Sequence, residues 1–272
     1  MSKAKITFIG AGNMAASIIG GLASKGYPAN LITATDPVQG SLDRLQQQYA
    51  INSQADNGVA VADADVVVLA VKPQVLKPVA EALKAHLKPG SLIISIAAGI
   101  NITSISRWLG EVAIVRCMPN TPALVLTGAS GLYANGHTTA AQRACAEEIL
   151  SAVGIVQWLD SESLLDPVTA VSGSGPAYFF LMMEAMIDAG VAQGLSREAA
   201  TELTLQTALG AAKLAQGSDV DVVELRRRVT SPKGTTEQAI LSFERDGLRD
   251  IVSRAMQACT DRSIELADEL GA

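Results

Sequence analysis

A chain of 272 residues has room for two domains or one large one. Its net charge of −6 and the lack of any basic block exclude a nucleic-acid-binding role. Hydrophobic residues make up 49% but aromatics only 4%, so the core is built from Ala, Val, Leu and Ile, and a mean hydropathy of +0.27 points to surface buried between subunits.

The three cysteines, Cys117, Cys145 and Cys259, are odd in number and show no C-x-x-C spacing. They read as reduced thiols of a cytoplasmic protein. His86 and His137 stand alone, no cluster has metal-ligand spacing, and no metal is expected.

The chain opens with Lys3 and Lys5 before an apolar run, an imitation of a signal peptide. Gly10, Gly12 and Asn13 break that run, and a strand–turn–helix explains it better. Ile6–Ile9 reads as the strand and Met14–Lys25 as the helix, closed by Gly26. Between them Gly10-Ala11-Gly12-Asn13-Met14-Ala15 fits G-x-G-x-x-A. The first glycine permits a tight turn, the second lets backbone approach a pyrophosphate, and Ala15 lets the helix sit close to the sheet. Ile9 to Met14 are therefore expected to line a dinucleotide.

A second strand over Leu31–Ala34 ends in Ala34-Thr35-Asp36-Pro37. If Asp36 points at the ribose, NAD is favoured. If Thr35 faces the pocket while Asp36 turns to solvent or caps the next helix, a 2′-phosphate fits. No arginine follows at once, Arg44 being the nearest. NADP is the expected cofactor, with NAD as the alternative.

Leu42–Tyr49 reads as a helix, and Val66–Val71 as a strand covered on both faces. Lys72-Pro73 ends that strand, and Val75–Leu87 returns as a helix. Leu92–Ile96 is another buried strand, followed by Ala97-Ala98-Gly99, and Ala113–Arg116 is one more. Strands alternating with helices mean an α/β, Rossmann-type, mostly parallel sheet, whose ligands bind at the carboxyl ends of the strands. Val71, Lys72 and Pro73 are expected at the cofactor and Ala97 and Ala98 at its nicotinamide. A strand-end Lys72 in solvent is the alternative. Met118-Pro119-Asn120-Thr121-Pro122 should line the cleft between domains, with Asn120 orienting nicotinamide or substrate unless it is a plain turn.

Near residue 160 the pattern changes. Asp160-Ser161-Glu162-Ser163 is a polar joint, and β-rich runs vanish after Asp166-Pro167. The apolar stretch 164–194 is interrupted by Asp166, Glu184 and Asp188, so no membrane span is expected. Helices are predicted over 167–193, 197–216, about 219–229, from Pro232, and about 248–269. The expected division is a dinucleotide-binding domain, 1–162, and an all-helical domain for substrate and dimerisation, 163–272.

Two segments of the helical half stand out. Ser172-Gly173-Ser174-Gly175-Pro176-Ala177 lies inside a predicted helix that it should weaken, so a close helix or a ligand must compensate. In Thr230-Ser231-Pro232-Lys233-Gly234-Thr235-Thr236, Ser231 suits a helix cap and Pro232 the first helical position. The exposed N–H groups of a helix start hold anions, and four hydroxyls crowd this one.

Taken with Gly10–Met14, Ala70–Pro73 and Met118–Pro122, these segments resemble the pyrroline-5-carboxylate reductase family over nearly the whole chain. Lys233 departs from it, many members having Gly there. The resemblance implies NAD(P)H-dependent reduction of a cyclic C=N bond to give L-proline. It implies a homo-oligomer, dimeric through the helical domain and often a decameric ring. It places Asn57, Thr35 and Pro37 near the adenosine phosphate, and Glu162, Thr235 and Thr236 near the substrate.

The residues agree with that chemistry. Residues 163–272 contain only Lys213 and Lys233 and no histidine, so no ordinary acid–base pair serves an alcohol or ketone. A protonated imine is already electrophilic and mostly needs positioning. Thr236 is expected to bond the ring nitrogen, Ser231 to support the loop, and Lys233, Gly234 and Thr235 to complete the substrate site. A β-hydroxyacid dehydrogenase would need a lysine early in the helical domain, and Leu164–Leu195 has none. A non-catalytic dinucleotide sensor is the other rival, with no reason to assemble a substrate anion site.

Overall fold

The computed structural model describes residues 3–271. Strand β1 (Ile6–Ile9) leads through the glycine turn into helix α1 (Asn13–Ser24). There follow β2 (Ile32–Thr35), α2 (Gln39–Tyr49), the short β3 (Asn52–Ser53) and α3 (Asn57–Val61), then β4 (Val66–Leu69), α4 (Pro73–Leu83), β5 (Leu92–Ser95), α5 (Ile102–Leu109) and β6 (Ala113–Met118). Three elements come next that the sequence left unread: β7 (Gly128–Ala134), α6 (Ala140–Leu150) and β8 (Gly154–Trp158).

All eight strands form one sheet in the order β3-β2-β1-β4-β5-β6-β7-β8. Every pairing is parallel except β6 with β7. The continuous apolar runs of β1, β4 and β5 place them at the centre, where both sheet faces are covered. Alternate residues feed two cores. Phe8, Val68, Ile94 and Val115 pack with Ile18, Ile19 and Leu45. Ile9, Val67, Ile93 and Ile114 pack with Leu76, Leu83, Ile105 and Trp108. Each fully buried side chain of this size stabilises the fold by about 1.5–3 kcal/mol.

Among the described residues no strand follows Trp158, as expected, but packing does not divide the chain at residue 163. Its compact units are 1–174 with 258–272, and 175–257. The reason is burial: Leu165 and Ala170, at the start of the helical half, are buried in the first unit. In the same unit Asp166 accepts a 2.8 Å hydrogen bond from Ser263, and the Gly271 carbonyl accepts one from Ser104 at 2.8 Å.

The helix predicted over 167–193 is not continuous. A first turn, α7 (Leu165–Val168), passes into a π-helical stretch at Thr169–Gly173, closed by Ser174 N–H donating to Thr169 C=O at 2.8 Å. Helix α8 (Gly175–Ala192) then starts afresh, with Pro176 in its first turn. Proline is therefore tolerated, because the N–H it lacks is one a helix start leaves unpaired. α9 (Arg197–Gln216), α10 (Val222–Arg228), α11 (Thr235–Arg245) and α12 (Leu248–Gly271) complete the chain. Ser196 caps α9 by accepting from Ala199 N–H, and Asp221 caps α10 by accepting from Glu224 N–H.

Candidate active site

In the first unit the candidate nucleotide site is built on the glycine turn. Gly10 has φ +104°, and a Cβ there would lie 2.8 Å from the Ala70 carbonyl oxygen, so the turn needs glycine twice over. Gly12 is the N-cap of α1 and no side chain caps the helix. A Cβ at Gly12 would meet nothing within 4 Å. The N–H face of α1 is thus open at Gly12, Asn13 and Met14, while Ala11 and Ala15 are buried beneath it. These residues fit a dinucleotide pyrophosphate, which needs bare backbone at a helix start.

Asp36 takes neither of the orientations expected: it is half-buried, points at neither solvent nor a ribose site, and no side chain caps α2. Its Oδ2 accepts from Ala11 N–H at 2.8 Å and its Oδ1 from Val38 N–H at 2.8 Å. The carboxylate braces the glycine turn and the approach to α2. Thr35, however, does not face a pocket: it is buried, with its hydroxyl 3.4 Å from the Phe8 carbonyl oxygen. Pro37 is exposed, and Asn57 is half-buried at the first position of α3.

At the other strand ends, Lys72 is exposed at the N-cap of α4, between half-buried Val71 and Pro73. Ala98 is exposed while Ala97 is buried. Gly99, at φ +70°, sits where a Cβ would come within 3.3 Å of Leu266, so the end of α12 shapes this strand end. No local pattern signals that contact, which spans more than 160 positions.

Asn120 is committed elsewhere. Its Oδ1 accepts from Ala129 N–H at 2.9 Å and its Nδ2 donates to the Ser172 carbonyl at 3.0 Å. The buried amide clamps the end of β6 to β7 and to the π-helical stretch. Glu162 is likewise engaged: Oε1 accepts from Ile102 N–H at 2.7 Å and from Arg116 Nη1 at 3.0 Å. Its charge lies at the positive start of α5, and its partner Arg116 is buried. Arg116 is a site-shaping residue the sequence reading missed, although one arginine inside Ala-Ile-Val-Arg-Cys-Met was a visible signal.

The 175–257 unit, taken by itself, corrects the helix start expected there. Ser231 does not cap and Pro232 is not helical. Instead Ser231–Gly234 form a turn, closed by Gly234 N–H donating to Ser231 C=O at 3.0 Å. Lys233 has φ +60° in this turn. Gly234 is the N-cap of α11 without a side-chain cap, and Thr235 and Thr236 are exposed at its first two positions. Pro232 fails as first residue because it lies inside the turn, and Lys233 and Gly234 must follow before the helix begins. Glu237, which the sequence reading overlooked, follows in the first turn and accepts from Lys233 N–H at 2.7 Å.

Among the described residues no group of three or more His, Cys, Asp or Glu is placed to hold a metal. Burial pushes the Cys117 thiol up to about 12, so this sulfur stays protonated and unreactive.

An open phosphate seat on a doubly wound sheet, with a helical half that carries an uncapped helix start, defines a dinucleotide-dependent oxidoreductase. Residues 162–266 match the family model for pyrroline-5-carboxylate reductase dimerisation, and residues 5–99 match that for NADP oxidoreductase, coenzyme F420-dependent. The pyrroline-5-carboxylate reductase of Pseudomonas aeruginosa is 59% identical over 272 residues, covering 100% of both chains. The solved structure of the Coxiella burnetii reductase matches with a TM-score of 0.95 at 46% identity, covering 98% of this chain and 99% of that one. That of the Plasmodium falciparum reductase with NADP bound matches at 0.86 and 31% identity, with the same coverage. The chain belongs to the pyrroline-5-carboxylate reductase family, and its reaction is reduction of 1-pyrroline-5-carboxylate to L-proline.

Proposed function

We propose that α11 opens the substrate site and that NADP(H) is the physiological cofactor. The observation that carries the first part is the uncapped start of α11, where Thr235 and Thr236 present backbone N–H and hydroxyl groups to solvent. Such a start suits a carboxylate. The N–H groups of Thr235 and Thr236 hold the substrate carboxylate, within the turn built by Ser231, Lys233 and Gly234. The Thr236 hydroxyl donates to the lone pair of the imine nitrogen and helps deliver its proton, which makes the ring carbon electrophilic. Reduction adds one hydride to carbon, and the nitrogen takes that proton, replaced at the hydroxyl from solvent, as the C=N bond becomes C–N. NADPH, when bound, supplies that hydride. Its pyrophosphate is assigned to Gly10–Met14, and its further contacts to Ile9, Pro37, Asn57, Val71–Pro73, Ala97 and Ala98, with buried Thr35 and Asn120 left out. Glu162 bounds the substrate side, oriented by Arg116.

Asp36 braces the glycine turn with one bond to each oxygen, and the match of residues 5–99 to the NADP oxidoreductase model supports NADP over NAD. The NADP-bound relative agrees. The exposed apolar residues of 175–257 support a dimer through the helical half, and a ring of dimers is the assembly we favour. We place the enzyme in the cytoplasm, in keeping with its free cysteines, and no helix among the described residues is long and apolar enough to cross a membrane.

Thr236→Ala tests the reading. Turnover of pyrroline-5-carboxylate should fall about 100-fold, the usual scale for a positioned proton donor, while NADPH affinity stays within about twofold. Unchanged turnover would remove Thr236 from the mechanism. Running the parent enzyme with NADH and NADPH in turn decides the cofactor.

A further inference from the structure

The turn before α11 holds a residue that should resist its own conformation. Lys233 sits at φ +60°, which a side chain with a Cβ adopts at a cost. Its backbone N–H donates to Glu237 Oε2 at 2.7 Å, short and charge-assisted. Glu237 is half-buried, three residues beyond the N-cap, so its carboxylate folds back over the turn. The same turn is closed from the other side by Gly234 N–H and the Ser231 carbonyl. The N–H groups of Thr235 and Thr236 take their directions from the backbone immediately before them, which is Lys233-Gly234.

We propose that Glu237 is a positioning residue for the substrate carboxylate. It holds Lys233 in the left-handed conformation and so keeps the helix start in its anion-binding shape before substrate arrives. The inference rests on the placement of the substrate at α11. Glu237 itself lends nothing attractive to an anion, since its own charge repels a carboxylate. Its contribution is to the population of the competent turn. When only a fraction of molecules is competent, apparent affinity falls by that fraction, while the saturated complex reacts as before. Loss of Glu237 therefore appears in KM for pyrroline-5-carboxylate and not in kcat or in KM for NADPH.

The left-handed penalty, of order one factor of ten in an equilibrium, sets the scale. Glu237→Ala should raise KM for pyrroline-5-carboxylate about tenfold, with kcat and KM for NADPH within about twofold. Glu237→Gln keeps an acceptor oxygen without the charge and should restore KM to within about twofold of the parent. The decisive comparison is made with Lys233→Gly. Glycine occupies φ +60° unaided, so Glu237→Ala in that background should change KM by less than about twofold. General loss of helix stability on removing Glu237 is common to both backgrounds and drops out of the comparison. An equal KM increase in both backgrounds, or none in the parent, overturns the proposal. Thr236→Ala measured alongside separates the two readings. A dead Thr236→Ala with a silent Glu237→Ala sinks only the positioning role, whereas a fully active Thr236→Ala removes the substrate from α11 altogether.

Discussion

The two compact units spend their apolar residues differently. In 1–174 with 258–272, strands and helices bury Ile, Val, Leu and Phe in two continuous cores. In 175–257 the buried residues are Gly175, Ala200 and Thr204, while Phe179 is 68% exposed, Phe180 63% and Leu181 66%. Helix α8 has only Glu184 and Asp188 as charged residues, and its exposed Phe179, Phe180, Leu181 and Met182 find no cover within one chain. The first unit carries its own stability, and the second requires a partner surface. If α11 holds the substrate as proposed, assembly should govern substrate turnover and leave nucleotide binding alone.

Breaking assembly gives the largest expected effect. Leu181→Glu puts a charge among exposed Phe179, Phe180 and Met182, where a partner must bury them. Sedimentation should show the oligomer reduced to monomer and pyrroline-5-carboxylate reduction lost, while NADPH still binds. An intact oligomer with full activity would mean that α8 faces solvent in the assembly and that the contrast between the units is wrong.

Next in size is Gly10→Ala. The substitution forces a Cβ to 2.8 Å from the Ala70 carbonyl at a φ that favours glycine, so about 2–4 kcal/mol of stability should go. NADPH affinity, followed by its fluorescence, should drop more than about tenfold because the phosphate seat shifts with the turn. Unlike Leu181→Glu, this change should leave the oligomer whole. Loss of the oligomer as well would show that the units do not act separately.

Arg116→Met sharpens the comparison inside the first unit. It leaves Glu162 with its Ile102 N–H bond but no cation, in a place largely shielded from water. Chemical denaturation should show a loss of about 3 kcal/mol. Arg116→Met with Glu162→Gln should recover at least half of that loss, because no lone charge remains buried. If the double variant is as weak as the single one, packing rather than charge sets the role of Arg116.

What the sequence disclosed follows the same divide. G-x-G-x-x-A, the central strands and the all-helical second half are local patterns of period and turn chemistry, and they appear where they were read. β7 and β8 were missed because Gly128-Ala-Ser-Gly and Gly154-Ile-Val-Gln carry small residues and glycine in place of an apolar run. α11 starts at Thr235 and not at Pro232 because Lys233 takes a left-handed backbone that composition does not announce. The commitments of Asn120 and Glu162 depend on partners 46 to 60 positions away. Site residues could be nominated from motifs, but only the fold shows which of them are already spoken for.

The smallest effect lies at the opposite end of the sheet from the strand ends that hold ligand. Asp65 accepts from Lys5 N–H at 2.9 Å and from Lys88 Nζ at 2.6 Å, tying the start of β4 to that of β1. The Lys88 hydrogen bond, then the Lys5 N–H, hold its carboxyl below the usual carboxylate range. A carboxyl depressed in the folded state stabilises it above the unfolded value and loses that contribution as pH falls through the folded one. Both side chains are well exposed, so water screens the pair and about 0.5 kcal/mol is the expected size. Asp65→Asn should therefore melt slightly below the parent near neutral pH, and the two curves should converge as pH falls below the usual carboxylate range. NADPH affinity and turnover should not change. A shift in either would mean that the ligand end of the sheet responds to its far edge, and that the first unit is less rigid than its two cores imply.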